Sequence, residues 1–154
     1  VISNIKEHAV HISKATAYIR NNTISKAPYG VYVTSDAKGK IYQNTYKSGV
    51  KKKIYVGGKT SGITPKAPKI TKKSGSKTSM TVKWKKVSGA GGYEVQYSTD
   101  PKLISGVKSV SLSVKKTSAS VKKPAAGKTY YVKVLSYKKV KGMQVYSSAK
   151  AMKL

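Results

Sequence analysis

The stretch IRNNTISKAPYGVYV, residues 19–33, mixes residues that favour strands with residues that interrupt them. Ile, Thr, Tyr and Val are typical of β-strands, whereas adjacent Asn residues, a Pro and a Gly are typical of turns. A fold that accommodates this stretch must therefore alternate short strands with sharp bends.

A second copy of the pattern lies 22 residues further along the chain. The positions Ile19, Asn22, Thr23 and Ile24 correspond to Ile41, Asn44, Thr45 and Tyr46, and Val31–Tyr32–Val33 corresponds to Ile54–Tyr55–Val56 with one residue inserted. Val10–His11–Ile12 is a plausible earlier copy. A hairpin sheet gives no reason for Asn to return at a fixed period, whereas a solenoid stacks one coil on the next at about 4.8 Å, so that like residues form ladders.

The repeat predicts the terminal coils of a right-handed parallel β-helix over residues 1–58. Asn22 and Asn44 would form a hydrogen-bonded ladder at a bend, because Asn tolerates the left-handed conformation. Residues 28–30 would turn the chain into the next strand. The inward-facing columns would be Ile19 with Ile41, Ile24 with Tyr46, and Val33 with Val56. The coils resemble those of pectate-lyase-like and related carbohydrate-active β-helix proteins, whose repeats often read NNTI…GIYV.

An amphipathic helix is the alternative for the first 20 residues. One possible helix face has residues at spacings of three and four, namely Ile2, Ile5, Ala9, Ile12, Thr16 and Ile19. Val10, Ile12 and Thr16 are poor helix formers, however, and a helix would cut across the repeat. The repeat therefore favours strands.

A change of pattern separates the coils from a second domain. Residues 57–69, GGKTSGITPKAPK, are rich in Gly, Ser, Thr and Pro, which predicts a linker at residues 59–66. The segments MTVKW, YEVQY, VSLSV, YVKV and MQVYS then alternate apolar and polar residues, with turn residues between them. This spacing predicts an antiparallel β-sandwich over residues 67–154, so that the whole chain is all-β.

Residues 67–154 resemble a fibronectin type III domain, in the Lys-rich form found in secreted proteins of gut Firmicutes. The matching residues are Pro68, the segment VKWKKVSGAGGYEVQYS (82–98) with Trp84 in the core, and AGKTYYVKV (126–134). The resemblance implies that Tyr130 occupies the tyrosine-corner position, where its hydroxyl bonds back to the preceding loop. Pro124 stands where the family usually has Leu.

The net charge of +28 arises from 32 Lys and Arg residues against Glu7, Asp36, Glu94 and Asp100. Lys83, Lys115 and Lys133 alternate with apolar residues, which predicts outward positions on strands. The charge fits either a solvated surface or attraction to a polyanion such as an acidic polysaccharide, teichoic acid or nucleic acid. Because Lys lacks the bidentate fork of Arg, we expect diffuse attraction and no specific nucleic-acid recognition.

The composition also bears on the compartment. Cys is absent, so disulfides and thiolate metal sites are excluded, and no apolar run is long enough for insertion into a membrane. The chain begins with Val1 rather than Met, so we interpret it as a piece of a longer protein. The resemblances imply an extracellular or cell-surface location.

No catalytic set, metal site or cofactor is predicted. His8 and His11 would point to opposite faces of a strand, which is a poor arrangement for a metal ion. The four scattered acids do not supply the paired carboxylates of glycoside hydrolysis. The Gly-rich segment SGAGG, residues 88–92, lies between strands and opens no helix, so it is interpreted as a turn.

Three rings form the candidate ligand-binding site. If the neighbouring Val and Ile residues point inward, His11, Tyr32 and Tyr55 project outward from successive coils as a column on which a sugar chain could lie. The alternative is that the rings only pack against another part of the protein.

We therefore expect a non-catalytic binding or spacer fragment of a secreted or cell-surface bacterial protein that contacts polysaccharide or anionic cell-wall polymers. The alternative, implied by the β-helix resemblance, is the C-terminal part of a polysaccharide lyase, epimerase or glycosidase whose active site lies upstream. The open end of the coils would be covered by the second domain or by self-association.

Overall fold

The computed structural model describes residues 1–123, 125 and 127–154, whose regular secondary structure consists of β-strands. The strands are β1 (His8–Ile12), β2 (Thr16–Arg20), β3 (Thr23–Ile24), β4 (Tyr29–Val33), β5 (Lys38–Tyr42), β6 (Thr45–Tyr46), β7 (Lys52–Val56), β8 (Ile70–Gly75), β9 (Ser79–Trp84), β10 (Gly92–Ser98), β11 (Lys108–Ser113), β12 (Ser118–Lys122), β13 (Tyr131–Val140), β14 (Gly142–Tyr146) and β15 (Met152–Lys153). The helical alternative for the first 20 residues is therefore wrong. None of the described residues forms a helix with the length and apolar character that a bilayer span requires.

The chain divides into two compact units. Unit 1 comprises Val1–Thr64 and Lys138–Tyr146, and unit 2 comprises Pro65–Tyr137 and Ser147–Leu154. This division differs from the sequence-based boundaries at two places. Ile63, expected in the linker, is 4% exposed and belongs to the core of unit 1. The segment MQVYS, expected in the sandwich, contributes its first four residues to unit 1 because its apolar side chains pack there.

Parallel strands build unit 1, and their register follows the sequence repeat. Strand β4 pairs with β1 on one side and β7 on the other, β2 pairs with β5, and β3 pairs with β6. Ile19 lies opposite Ile41 and Thr23 opposite Thr45. Residues at equivalent positions of the sequence repeat are thus paired with each other in neighbouring strands.

The predicted Asn ladder is confirmed. The side-chain amide of Asn22 donates to Oδ1 of Asn44 at 3.0 Å, and that of Asn44 donates to the carbonyl oxygen of Ile19 at 2.9 Å. The left-handed backbone lies one residue earlier, at Asn21 (φ 56°) and Gln43 (φ 57°). The ladder residues therefore bond across the coils while their predecessors make the bends.

The turn expected at residues 28–30 lies earlier in the chain. Tyr29 and Gly30 already belong to β4, and the left-handed residue is Lys26 at φ 49°. A Cβ atom on Gly30 would lie only 2.6 Å from the carbonyl oxygen of Lys53 and from the ring of Tyr46. Gly30 is therefore required by close packing inside a strand rather than by a turn.

The core of unit 1 contains the predicted columns and an additional strand. Ile19, Ile24, Ile41, Val33 and Val56 are at most 5% exposed, and Tyr46 packs against them. Strand β14 runs parallel to β5, which gives the strand order β2–β5–β14, and its Met143 and Val145 are fully buried in the same core. Strand β14, although distant from β5 in sequence, thus lies beside β5 on the side opposite to β2.

Unit 2 is the antiparallel β-sandwich that the alternation predicts. One sheet has the order β8–β9–β12, and the other has β11–β10–β13 with β15 paired to β13. Trp84 from the first sheet and Tyr93 from the second lie in one core, with ring centroids 5.3 Å apart. Burial of these large rings stabilises the contact between the sheets.

The hydroxyl of Tyr130 bonds back to the loop before it, as the resemblance implies. The oxygen accepts a hydrogen bond from the backbone N–H of Ala125 at 3.0 Å, and Tyr130 is 4% exposed. Pro124 and Ala126 lie outside the described residues.

The expected outward, solvated position is wrong for Lys133. Its side chain is only 5% exposed and lies across from Gln96 on β10, near the buried Glu94. Burial lowers the pKa of Lys133, and the opposite charge of Glu94 acts in the other direction. Alternation along a strand identifies the face on which a side chain lies, but not whether that face is covered. Lys83 and Lys115 are exposed as expected.

Gly39→Ala should strongly destabilise unit 1. Gly39 has φ 131°, and a Cβ atom there would lie 1.8 Å from the carbonyl oxygen of Ala17 on the paired strand. The clash and the unfavourable backbone angle together should lower the free energy of unfolding by about 2–4 kcal/mol. Urea unfolding monitored by circular dichroism would measure this change.

Gly58→Ala is the matched control for this prediction. Gly58 also has a positive φ of 89°, but a Cβ atom there would meet nothing within 4 Å. The control should lose only about 1 kcal/mol, because it carries the backbone strain without the clash. Equal losses in the two variants would contradict the packing explanation.

Candidate functional site

The three predicted rings lie side by side on the outer face of the sheet β1–β4–β7. His11 lies opposite Tyr32, and Tyr32 opposite Tyr55, in parallel register. The rings of Tyr32 and Tyr55 are stacked with centroids 4.3 Å apart and planes inclined by 3°. The ring of His11 meets that of Tyr32 edge-on at 5.1 Å. The sequence repeat thus produces a continuous column of rings.

Two further rings, which the sequence reasoning missed, complete the site. The ring centroid of His8 lies 4.1 Å from that of Tyr32 and 5.2 Å from that of Tyr29. The ring of Tyr29 in turn lies 5.9 Å from that of Tyr55. We call the five side chains His8, His11, Tyr29, Tyr32 and Tyr55 the ring cluster.

A break in strand alternation brings the additional rings to the same face. Gly30 and Val31 are consecutive and both buried, so Tyr29 and Tyr32 on either side of them both lie towards the outside. His8 and His11 are paired with these two tyrosines and follow the same pattern. The prediction that the two histidines point to opposite faces is therefore wrong, and their rings are 5.3 Å apart.

An available sequence signal could have identified the extra rings. Aligned as coils, the segments HAVHI, YGVYV and KKIYV place His8, Tyr29 and Lys52 at the first position and the three predicted rings at the fourth. Alignment of the whole segments, rather than their central triplets alone, shows two ring-bearing positions in the first two coils and one in the third.

Charged groups flank the ring cluster at two points. The Nζ atom of Lys52 lies 5.6 Å from the ring centroid of Tyr29, within cation–π range. A carboxylate oxygen of Glu7 lies 3.8 Å from Nδ1 of His8. Within the described residues, no three His, Asp or Glu side chains lie together as metal ligands would.

A hydrogen bond joins the side chains of Tyr32 and Tyr55. A hydrogen bond with Tyr55 raises the pKa of Tyr32 above its ordinary value, and partial desolvation and the neighbouring Tyr29 act in the same direction. Tyr32 is therefore neutral at physiological pH and presents a hydroxyl that can donate or accept a hydrogen bond.

Comparisons with known proteins give matches to solved structures only. No known family profile matches the chain, and no curated protein matches it. The FN1–FN3 domains of chicken CNTN1 align with 66% of this chain at 18% identity and a TM-score of 0.47. The fn3 domain of human contactin 1 aligns with 58% of this chain and 75% of its own length, at 15% identity and a TM-score of 0.49.

A third solved structure, the FN3 domain of human collagen XX, aligns with 61% of this chain and 93% of its own length, at 12% identity and a TM-score of 0.44. The match to chicken CNTN1 covers 32% of that longer chain. This chain therefore spans about a third of the length of that protein fragment.

Tyr55→Phe should shift the pKa of Tyr32 back towards its ordinary value. The substitution keeps the stacked ring but removes the hydroxyl that bonds to Tyr32, which is the largest cause of its raised pKa. Carbon-13 NMR titration of labelled tyrosine would follow Tyr32 directly. Tyr42→Phe, on β5, is the control and should leave the titration unchanged. A Tyr32 pKa that stays the same in Tyr55→Phe would show that the hydrogen bond with Tyr55 is not the cause of the raised pKa.

Proposed function

We propose that this chain is a non-catalytic carbohydrate-binding and spacer fragment of an extracellular or cell-surface bacterial protein. The observation that supports the binding role is the ring cluster, in which five aromatic side chains from three strands gather on one outer face. Aromatic rings bearing polar atoms suit surfaces that contact both the apolar and the hydroxylated parts of a ligand.

Within this proposal, unit 1 is the end of a right-handed parallel β-helix and unit 2 is a fibronectin type III domain. The first assignment is supported by the parallel pairs at the repeat offset and by the Asn22–Asn44 ladder. The second is supported by the two antiparallel sheets, by Trp84 in their core and by the Tyr130 hydroxyl bond to the preceding loop. The two modules would have their main segments at residues 1–58 and 67–154.

The geometry of the ring cluster bears on how a sugar would bind. Because Tyr32 and Tyr55 stack face to face, each ring covers one face of the other, and the ring of His8 lies 4.1 Å from that of Tyr32. Hydrogen bonds from the tyrosine hydroxyls and the exposed His11 imidazole would therefore contribute more than stacking on a ring face. Such bonds exchange with water and give modest net free energies of about 1 kcal/mol each, so we expect weak binding.

A titration with oligosaccharides tests the proposed site. Neutral and acidic oligosaccharides added at millimolar concentration should shift the NMR signals of His11, Tyr32 and Tyr55 before those of other rings. Replacing His11 or Tyr55 by Ala should weaken binding about threefold to tenfold, as expected for the loss of one or two modest hydrogen bonds.

Tyr18→Ala is the control for these variants. Tyr18 is 65% exposed on β2 and lies outside the ring cluster, so its loss should not affect binding of a neutral oligosaccharide. If no oligosaccharide in a chemically varied panel shifts the ring-cluster signals, the carbohydrate-binding role is wrong and the spacer role alone remains.

A further inference from the structure

Unit 1 has a second outer face, on the sheet β2–β5–β14, that carries cations together with the rings of Tyr18, Tyr42 and Tyr146. Lys38 lies between Thr16 and Gly142 in one row of the register, and Lys40 lies between Tyr18 and Gln144 in the next. These residues alternate with the buried Ile19, Ile41 and Val145, so they are directed away from the core.

The end of β13 and the turn between β13 and β14 bring further lysines to this face. Lys139 and Lys141 line a groove of about 440 Å³ together with Lys38, Lys40 and Gln144. A neighbouring cavity of about 420 Å³, which shares Lys139 and Lys141 with this groove, is also lined by Lys59 and Lys138. Six lysines therefore surround two adjacent cavities, and no Asp or Glu of the described residues lines either one.

Local contacts position two of the six lysines. The Nζ atom of Lys138 donates a hydrogen bond to the carbonyl oxygen of Gly62 at 2.7 Å. The Nζ atom of Lys40 lies 5.6 Å from the ring centroid of Tyr146. Lys38, Lys139 and Lys141 are exposed. A concave surface with charges of one sign attracts counter-ions more strongly than the same charges spread over a convex surface.

We propose that this groove binds a linear phosphodiester polymer that is not a nucleic acid, such as a polyol phosphate chain. All six cations that line the two cavities are lysines, which bind phosphate as point charges. The groove lining contains a single aromatic side chain, Tyr18, too few for the successive base stacking that holds single-stranded nucleic acids. This inference concerns a face separate from the ring cluster and does not depend on sugar binding there.

Binding of poly(glycerol phosphate) to the intact chain tests the inference, with an oligothymidylate of the same number of phosphodiesters as the competing ligand. At about 50 mM salt the glycerol polymer should bind more tightly than the oligonucleotide, and its affinity should fall steeply by about 200 mM salt. Equal or tighter binding of the oligonucleotide at equal phosphate concentration would overturn the inference in favour of a nucleic-acid groove.

Two triple variants with the same loss of charge separate the groove from the general charge of the protein. Replacement of Lys38, Lys139 and Lys141 by Gln should weaken binding of the glycerol polymer by about tenfold or more and reduce its salt dependence. Replacement of Lys72, Lys115 and Lys150, which are exposed residues of unit 2, should weaken binding less than about twofold, since only the long-range field changes. Equal effects of the two triple variants would show diffuse attraction and overturn the inference.

Lysine side-chain NMR of the unmodified protein provides a readout that does not depend on the folding of a variant. The NMR signals of the Cε methylene groups, next to the ammonium nitrogen, should shift first for Lys38, Lys139 and Lys141 as poly(glycerol phosphate) is added. Shifts distributed equally over the lysines of both units would count against the groove. Neutral oligosaccharide binding should be unchanged in the Lys38, Lys139 and Lys141 triple variant, which keeps this test separate from that of the ring cluster.

Discussion

The backbone hydrogen bonds between β5 and β14 determine how unit 1 is completed. A parallel strand with an unpaired side exposes N–H and C=O groups that water or another strand must satisfy. The repeat supplies three strands to the sheet β1–β4–β7 but only two, β2 and β5, to the next one. Strand β14 takes the third position, buries Met143 and Val145, and brings Lys139 and Lys141 beside Lys38. One pairing therefore serves both the core and the lysine groove.

The register of the coils could be read from the sequence, whereas the role of β14 could not. Asn22 and Asn44 recur at a fixed offset because ladder bonds require like residues in neighbouring coils, and this constraint is visible as a repeat. In the segment MQVYS, by contrast, the only pattern is the alternation of apolar and polar residues, with a period of two. That pattern shows that Met143 and Val145 share a face, but it does not specify which sheet the face packs against.

The candidate site, like the fold of unit 1, could be predicted from the sequence only in part. His11, Tyr32 and Tyr55 occupy equivalent positions of the repeat, so the sequence predicts their column directly. His8 was missed because strict alternation placed it on the face opposite to His11, and Tyr29 was missed because residues 28–30 were interpreted as a turn. Lys133 illustrates the same limit in unit 2, since its alternation with apolar neighbours is compatible with both a solvated and a covered face.

The two outer faces of unit 1 differ because rings and cations behave differently in a parallel register. Equivalent residues of neighbouring coils are close together, which favours stacked rings such as Tyr32 and Tyr55 but makes like charges repel. Two outward rows of the second sheet accordingly contain a single lysine each, Lys38 or Lys40, between uncharged neighbours. A dense group of cations on such a sheet therefore requires a segment from outside the repeat. The end of β13 supplies Lys139 and the turn before β14 supplies Lys141, neither of them in register with Lys38 or Lys40.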